Sequence, residues 1–306
     1  MFTWGKRIML FVVTNLAIMI TLSLVLNLLG VGPYLTSKGL NYPSLIVFCL
    51  VWGMGGSFIS LGLSRIMAKW SMGVQLIDPQ RASGEERQLL ETVYRLSKQA
   101  GLTTMPEVGI YESPEVNAFA TGPTKSRALV AVSTGLLNSM RPDEVEGVLA
   151  HEVAHIANGD MVTMTLVQGV VNAFVMFFAR IIAWGVTQAL SGSRDDEESS
   201  SSPGWAYYLT TMVVEIVLGF FGMLVVGWVS RMREFRADEG GARLGGREKM
   251  IAALRRLQRN HELIDTSAPS LASMKISGKT GGLMALFSTH PPLEDRIAAL
   301  ERATIR

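Results

Sequence analysis

At 306 residues the chain is long enough for one sizeable domain together with several membrane spans. Hydrophobic residues make up 48% and charged residues only 18%, with a mean hydropathy of +0.29, so water-facing side chains are too few to cover the apolar mass. A net charge of +2 without a basic stripe excludes a nucleic-acid partner, and the single cysteine, Cys49, excludes an intrachain disulfide and a cysteine-based metal site.

The first apolar run, about residues 8–31, exceeds the ~20 residues that a bilayer requires. It is longer than a signal-peptide core and no small-x-small cleavage site follows it, so it is expected to remain as an anchor. The second run, about 42–63, contains "GMGGS"; its small residues allow a neighbouring helix to approach closely, although local flexibility explains them equally well. Two more runs, about 161–190 and 207–229, complete four expected spans. Lys6 and Arg7 precede span one, Arg65 and Lys69 follow span two, and Arg231, Arg233 and Arg236 follow span four. The intervening loops hold only Lys38 and Arg194. By the positive-inside rule the N-terminus and residues 65–160 and 231–306 are cytoplasmic, and the serine-rich acidic loop after span three is outside and flexible.

The expected organisation is an N-terminal membrane region (1–64), a first cytoplasmic block (65–160), a membrane hairpin (161–230) and a second cytoplasmic block (231–306). The two blocks are expected to fold together as one domain. In the first, Leu89, Leu90, Val93 and Leu96 recur at helical spacing, with Ser83 as N-cap. "EVGIYES" reads as a strand, and "NAFATG" and "RALVAVSTGLL" read as two strands joined by a turn. "RPDEVEGVLAHEVAHIANGD" reads as a helix. In the second block "REFRADEGGARL" and "GREKMIAALRRLQRN" are helical with a Gly-Gly interruption, and "PPLEDRIAALERAT" is a short final helix with proline at its start.

His151, Glu152 and His155 form His-Glu-x-x-His. Residues four apart share a helix face, so both imidazoles can reach one zinc ion, with Glu152 beside them to take a proton from the attacking water. A catalytic zinc takes three protein ligands. Glu234 opens "EFRAD" just after span four; alone it is equally a solvated carboxylate, but the hairpin brings it back toward His155. Asp238, four residues on, can accept a hydrogen bond from a liganding imidazole.

"HEVAH", "EFRAD" and "STHPPLEDRIAAL" resemble the HtpX-type integral-membrane zinc metalloproteases, gluzincins related to the CAAX prenyl proteases, over essentially the whole chain. The resemblance implies that His151, His155 and Glu234 bind one Zn2+ per chain, that Glu152 is the general base, and that Asp238 pairs with His151. It implies a bacterial inner-membrane protein with a cytoplasmic active site, working in stress-linked quality control on membrane-protein or unfolded polypeptide substrates, with other quality-control proteases as candidate partners. The expected fold class is α+β: a mainly helical membrane protein with four transmembrane helices and a zincin-like cytoplasmic protease domain with a small β-sheet.

The tetrahedral oxyanion needs a donor besides the metal. His290 is the candidate, with Arg296 second; a helix cap and an ordinary ion pair are the plain alternatives. Asn117, Ala118 and Phe119 resemble the family's substrate-side strand, or form an ordinary core hairpin. Glu215 in span four is expected to bond Arg180 or Asn172 of span three in a structural role. Rival functions are a prenyl-protein protease sharing the site, for which four spans are few, and a silent membrane scaffold, against which the intact Glu152 argues.

Overall fold

The long apolar runs fold as helices, because a chain in hydrocarbon must satisfy its backbone hydrogen bonds within each segment. A computed structural model of the chain describes residues 4–36, 39–191, 204–267 and 290–303. The elements run α1 (Trp4–Leu28), β1 (Leu35–Thr36), β2 (Gly39–Leu40), α2 (Tyr42–Met72), β3 (Gln75–Leu76), α3 (Gly84–Gln99), β4 (Glu107–Tyr111), β5 (Ala118–Thr121), a 3-10 turn (Lys125–Arg127), β6 (Leu129–Ser133), α4 (Thr134–Ser139), α5 (Pro142–Asn158), α6 (Asp160–Ser191), α7 (Trp205–Gly245), α8 (Arg247–Ser267) and α9 (Leu293–Arg302). Among the described residues three helices are long and apolar enough to cross a membrane, namely α2, α6 and α7, and α1 carries the apolar stretch Leu16–Leu28, which lies within the first expected span.

The chain forms two compact units, Leu61–Met164 with Gly227–Arg306, and Phe2–Ser60 with Thr165–Val226. In the first, a four-stranded sheet has the order β3-β4-β6-β5, with β4 and β6 parallel and the outer pairings antiparallel. Leu89, Leu90, Val93 and Leu96 of α3 pack with Val130 and Val132 of β6 and with Leu149, Val153 and Ile156 of α5. This core fixes α5 against the sheet. Met250 and Leu254 of α8 pack with Ile297 and Leu300 of α9, which anchors the C-terminal helix on the same body.

Three local features differ from the sequence expectations. "RALVAVSTGLL" is strand only to Ser133; the Ser133 hydroxyl accepts from Leu136 N at 3.0 Å and starts helix α4 there. Ser83 does occupy the N-cap of α3, but its side chain makes no capping hydrogen bond. The Gly-Gly pair does not interrupt α7, which continues to Gly245 and ends where Gly246 turns to φ +101°. Gly240 and Gly241 instead permit close approach: a Cβ would lie 2.9 Å from the Ala154 Cβ and 3.0 Å from the His151 backbone nitrogen, respectively.

In the second unit the small residues of "GMGGS" make helix contacts. A Cβ at Gly53 would lie 2.5 Å from the Ala173 nitrogen, and one at Gly55 would lie 2.5 Å from Leu22. Arg180 donates to Glu215 at 2.7 Å, and its guanidinium stacks 5.2 Å from the Phe48 ring centroid. Of the two expected partners for Glu215 the arginine is the one that reaches it; Asn172 instead accepts from Gln168.

Candidate metal centre

Helix α5 is bounded by Pro142 in its first turn and by Gly159, whose left-handed φ of +71° ends it. At its start the Glu144 carboxylate accepts the Arg141 backbone N–H at 2.9 Å. At its end Lys125 Nζ donates to the Ala157 carbonyl, placing a cation on the negative pole of the helix. His151 and His155 project from one face, and Glu234 reaches them from α7, drawn close by the glycine contacts above.

The donor atoms converge. His151 Nε2 and His155 Nε2 are 3.1 Å apart, and the Glu234 carboxylate lies 3.4 Å from the second and 3.7 Å from the first. Ligands about 2.0–2.1 Å from a tetrahedral zinc stand roughly 3.3 Å apart, so the triangle has the right size. The tautomers agree. His151 Nδ1–H donates to Asp238 at 2.9 Å and His155 Nδ1–H to Asp160 at 2.6 Å, which leaves both Nε2 lone pairs facing each other and a carboxylate. Three electron-rich groups that converge in this way repel unless a proton or a metal cation lies among them, and the donor set of two imidazoles and a carboxylate suits zinc. These three residues are the metal site.

A second layer fixes the first. Arg296, 6% exposed on α9, clamps Asp238 with two hydrogen bonds of 2.7 and 2.6 Å and sits 3.3 Å from Glu234. Its Nη2 lies 3.5 Å from His151 Nδ1, a contact between two donors rather than a hydrogen bond when that nitrogen carries its proton. His290 Nδ1 lies 2.9 Å from Glu234 Oε2 with its side chain largely exposed. Arg233 Nη1 donates to the Asp160 carbonyl at 2.9 Å. Burial lowers the pKa of His155, but hydrogen bonds to Asp160 and Glu234 outweigh it and push it up to about 9. Burial opposes ionisation of Glu234 and Asp238, yet His155 and His290 hold the first, and Arg296 and His151 the second, below the usual carboxylate range. Arg296 is raised, the pull of Asp238 exceeding the cost of its burial.

Glu152, half-buried and next to His151, is close enough for its charge to act on both His155 and Arg296. Ala118 and Phe119 lie in β5, an edge strand of the sheet, and Asn117 precedes it, its carbonyl accepting from Ser133 N at 2.9 Å. The sequence reading brought together the triad, Glu152, Asp238, His290 and Arg296; it missed Asp160, Arg233 and Lys125. Asp160 was legible only as the last residue of the helical stretch "RPDEVEGVLAHEVAHIANGD", since nothing in the spacing shows a side chain folding back onto His155 past a left-handed glycine.

A helix-borne His-Glu-x-x-His completed by a glutamate from a second helix, in a chain with long apolar helices, defines a multi-pass membrane metallopeptidase. The chain belongs to peptidase family M48, whose profile matches residues 83–304. It is 55% identical over 299 residues to the "Protease HtpX homolog" of Verminephrobacter eiseniae, covering 97% of this chain and 99% of that protein. It is 53% identical over 304 residues to the protein of the same name from Bacillus licheniformis, covering 97% and 99%. The fold is shared with the crystal structure of S. mikatae Ste24p, at a TM-score of 0.61 and 18% identity, covering 96% of this chain and 64% of that one.

Proposed function

We propose that this metallopeptidase is a zinc-dependent endopeptidase that cleaves misfolded or damaged membrane proteins at the cytoplasmic face, in stress-linked quality control of a bacterial inner membrane. The observation that carries the reading is the convergence of His151, His155 and Glu234 at tetrahedral spacing, with Glu152 beside them. Zinc, when bound by these three residues, acidifies water and polarises the scissile carbonyl. Glu152 takes the proton of the attacking water and delivers it to the leaving amine. His290, exposed at the rim beside Glu234, donates to the developing oxyanion, and Arg296 holds Asp238, and through it His151, in place.

The substrate lies extended along β5 as an added strand. Bonded pairs alternate along an antiparallel ladder, and Asn117 is bonded to Ser133, so Phe119 is bonded to Ala131 and the backbone of Ala118 points away from β6 toward the substrate. Residues 65–160 and 231–306 form the zincin-like cytoplasmic domain; the arginine and lysine distribution supports this orientation.

The reading is tested on detergent-purified full-length chain by metal analysis and casein cleavage. Wild type binds about one zinc and cleaves. Glu152→Gln keeps the metal and loses cleavage, and Glu234→Ala loses both. Full zinc in Glu234→Ala would remove the third ligand, and cleavage by Glu152→Gln would remove the base.

A further inference from the structure

Tyr111 ends β4 and is only 2% exposed, yet among the described residues its hydroxyl has no hydrogen-bond partner. A buried O–H left unpaired weakens a fold, and phenylalanine would fill the same space without that penalty. The hydroxyl therefore calls for a role outside the packing.

The sheet register shows what surrounds it. Tyr111 is level with Ser133 of β6. On its other side Ser133 is level with Asn117, to which it is bonded through its backbone N–H and its hydroxyl. Residues level across a sheet share a face, so Tyr111, Ser133 and Asn117 form a row that ends at the open edge beside β5. Phe119, two residues beyond Asn117, shares that face, and its ring centroid lies 5.7 Å from that of Tyr111.

Ser133 has nothing left to give the phenol. Its one proton goes to the Glu115 carbonyl at 2.6 Å, and it accepts from Leu136 N at 3.0 Å and Asn117 N at 3.1 Å. The Glu115 and Glu152 carboxylates act on Tyr111 through their charge alone. Burial, followed by the charge of Glu115, pushes the phenol pKa up further than Ser133 and Asn117 draw it down, so the group stays a donor at neutral pH. The remaining neighbour is the Asn117 side chain. Asn117 is exposed, and both hydrogen bonds that it makes among the described residues come from its backbone, which leaves its carboxamide uncommitted.

We propose that Tyr111 is a positioning residue for the substrate: as a peptide adds to β5, the Asn117 carboxamide oxygen accepts the Tyr111 O–H, which aims the amide N–H groups at a backbone carbonyl of the peptide. The proposal rests on the peptidase reading with the substrate along β5. A free carboxamide can present either its oxygen or its nitrogen to the same point, and it must be ordered at the moment of binding. Holding the oxygen removes that choice. A hydrogen bond that the free protein leaves unmade contributes its whole worth to the complex.

The test follows cleavage of a fluorogenic peptide by zinc-loaded, full-length protein in detergent. Tyr111→Phe is expected to raise KM about fivefold, the worth of one neutral hydrogen bond, with kcat and zinc content unchanged. Its melting temperature is expected to hold or rise, because the free protein loses only an unpaired hydroxyl. Asn117→Ala raises KM at least as far, and adding Tyr111→Phe to it changes nothing more, since the oxygen that the phenol would hold is gone. An unmoved KM in Tyr111→Phe overturns the proposal. So does the same rise in KM on the Asn117→Ala background, or a Tyr111→Phe variant that melts lower or loses zinc, since the hydroxyl would then serve the fold. Failure of wild type to cleave would instead remove the peptidase reading. The same comparison made on the Kd of the labelled peptide in a Glu152→Gln background would still judge the phenol.

Discussion

Replacing Asp160 separates two contributions to the metal centre. Its carboxylate accepts the Nδ1–H of His155 at 2.6 Å in a buried setting, a short, charge-assisted hydrogen bond that fixes both the tautomer and the ring. Asp160→Asn keeps an acceptor oxygen and loses the charge; Asp160→Ala loses both. Outer partners of liganding histidines are typically worth about 10–100-fold in metal affinity. The asparagine variant is therefore expected to weaken zinc binding about tenfold and the alanine variant about 100-fold, roughly 1.4 and 2.7 kcal/mol. The assay is competition for zinc between the purified full-length chain and a fluorescent chelator, with thermal unfolding followed in parallel. Wild-type affinity in Asp160→Ala would refute the reasoning, because His155 would then need no outside help to present Nε2. A loss in the asparagine variant equal to that in alanine would assign the whole effect to charge.

Other expectations follow from the same geometry. Asp238→Ala leaves Arg296 buried without its bidentate partner and is expected to cost about 3–5 kcal/mol of stability, whereas Asp238→Leu with Arg296→Met costs less; denaturant titration of both distinguishes pair-breaking from pair removal. In the metal-free protein His155 holds a proton up to about 9, so binding must expel it: zinc affinity rises about tenfold per pH unit below that value and levels off above it. The sign for folding is the reverse. A raised histidine pKa stabilises the metal-free fold fully below about 6.5, and that contribution is lost as pH rises through about 9. Chelator titrations across this range check the first, and a pH-independent affinity would contradict it. Gly241→Ala favours helix by about 1 kcal/mol yet places a methyl 3.0 Å from the His151 nitrogen and 3.0 Å from Met250 Sδ. Overpacking of about 1–3 kcal/mol should prevail, with reduced zinc content and unchanged helical circular dichroism; full activity would show that α7 can shift without disturbing Glu234.

Local signals carried much of the site. His151 and His155 were legible because both lie within one helix, where spacing alone sets the face. Leu89, Leu90, Val93 and Leu96 were legible for the same reason, and all are buried in the core. Glu234 required an argument across the hairpin, and Asp160 resisted reading because a left-handed glycine re-aims the chain just before it. The Gly-Gly pair misled for a related reason: glycine breaks helices through backbone freedom, but here it serves the approach of α7 to α5, a tertiary demand absent from any single segment. Strand β3 is two residues long and exists only through its pairing with β4, so no periodicity announces it.

The order in which the centre's parts leave the ribosome has a consequence for biogenesis. Both histidines and Glu152 come first, on α5; Glu234 and Asp238 follow on α7, after α6 has been made; His290 and Arg296 come later still, on or beside α9. A nascent chain that is still inserting has no third metal ligand, and even after α7 is complete its Asp238 lacks the arginine clamp. A complete centre thus exists only after the segment carrying Arg296 has been made, well after both helices of the hairpin.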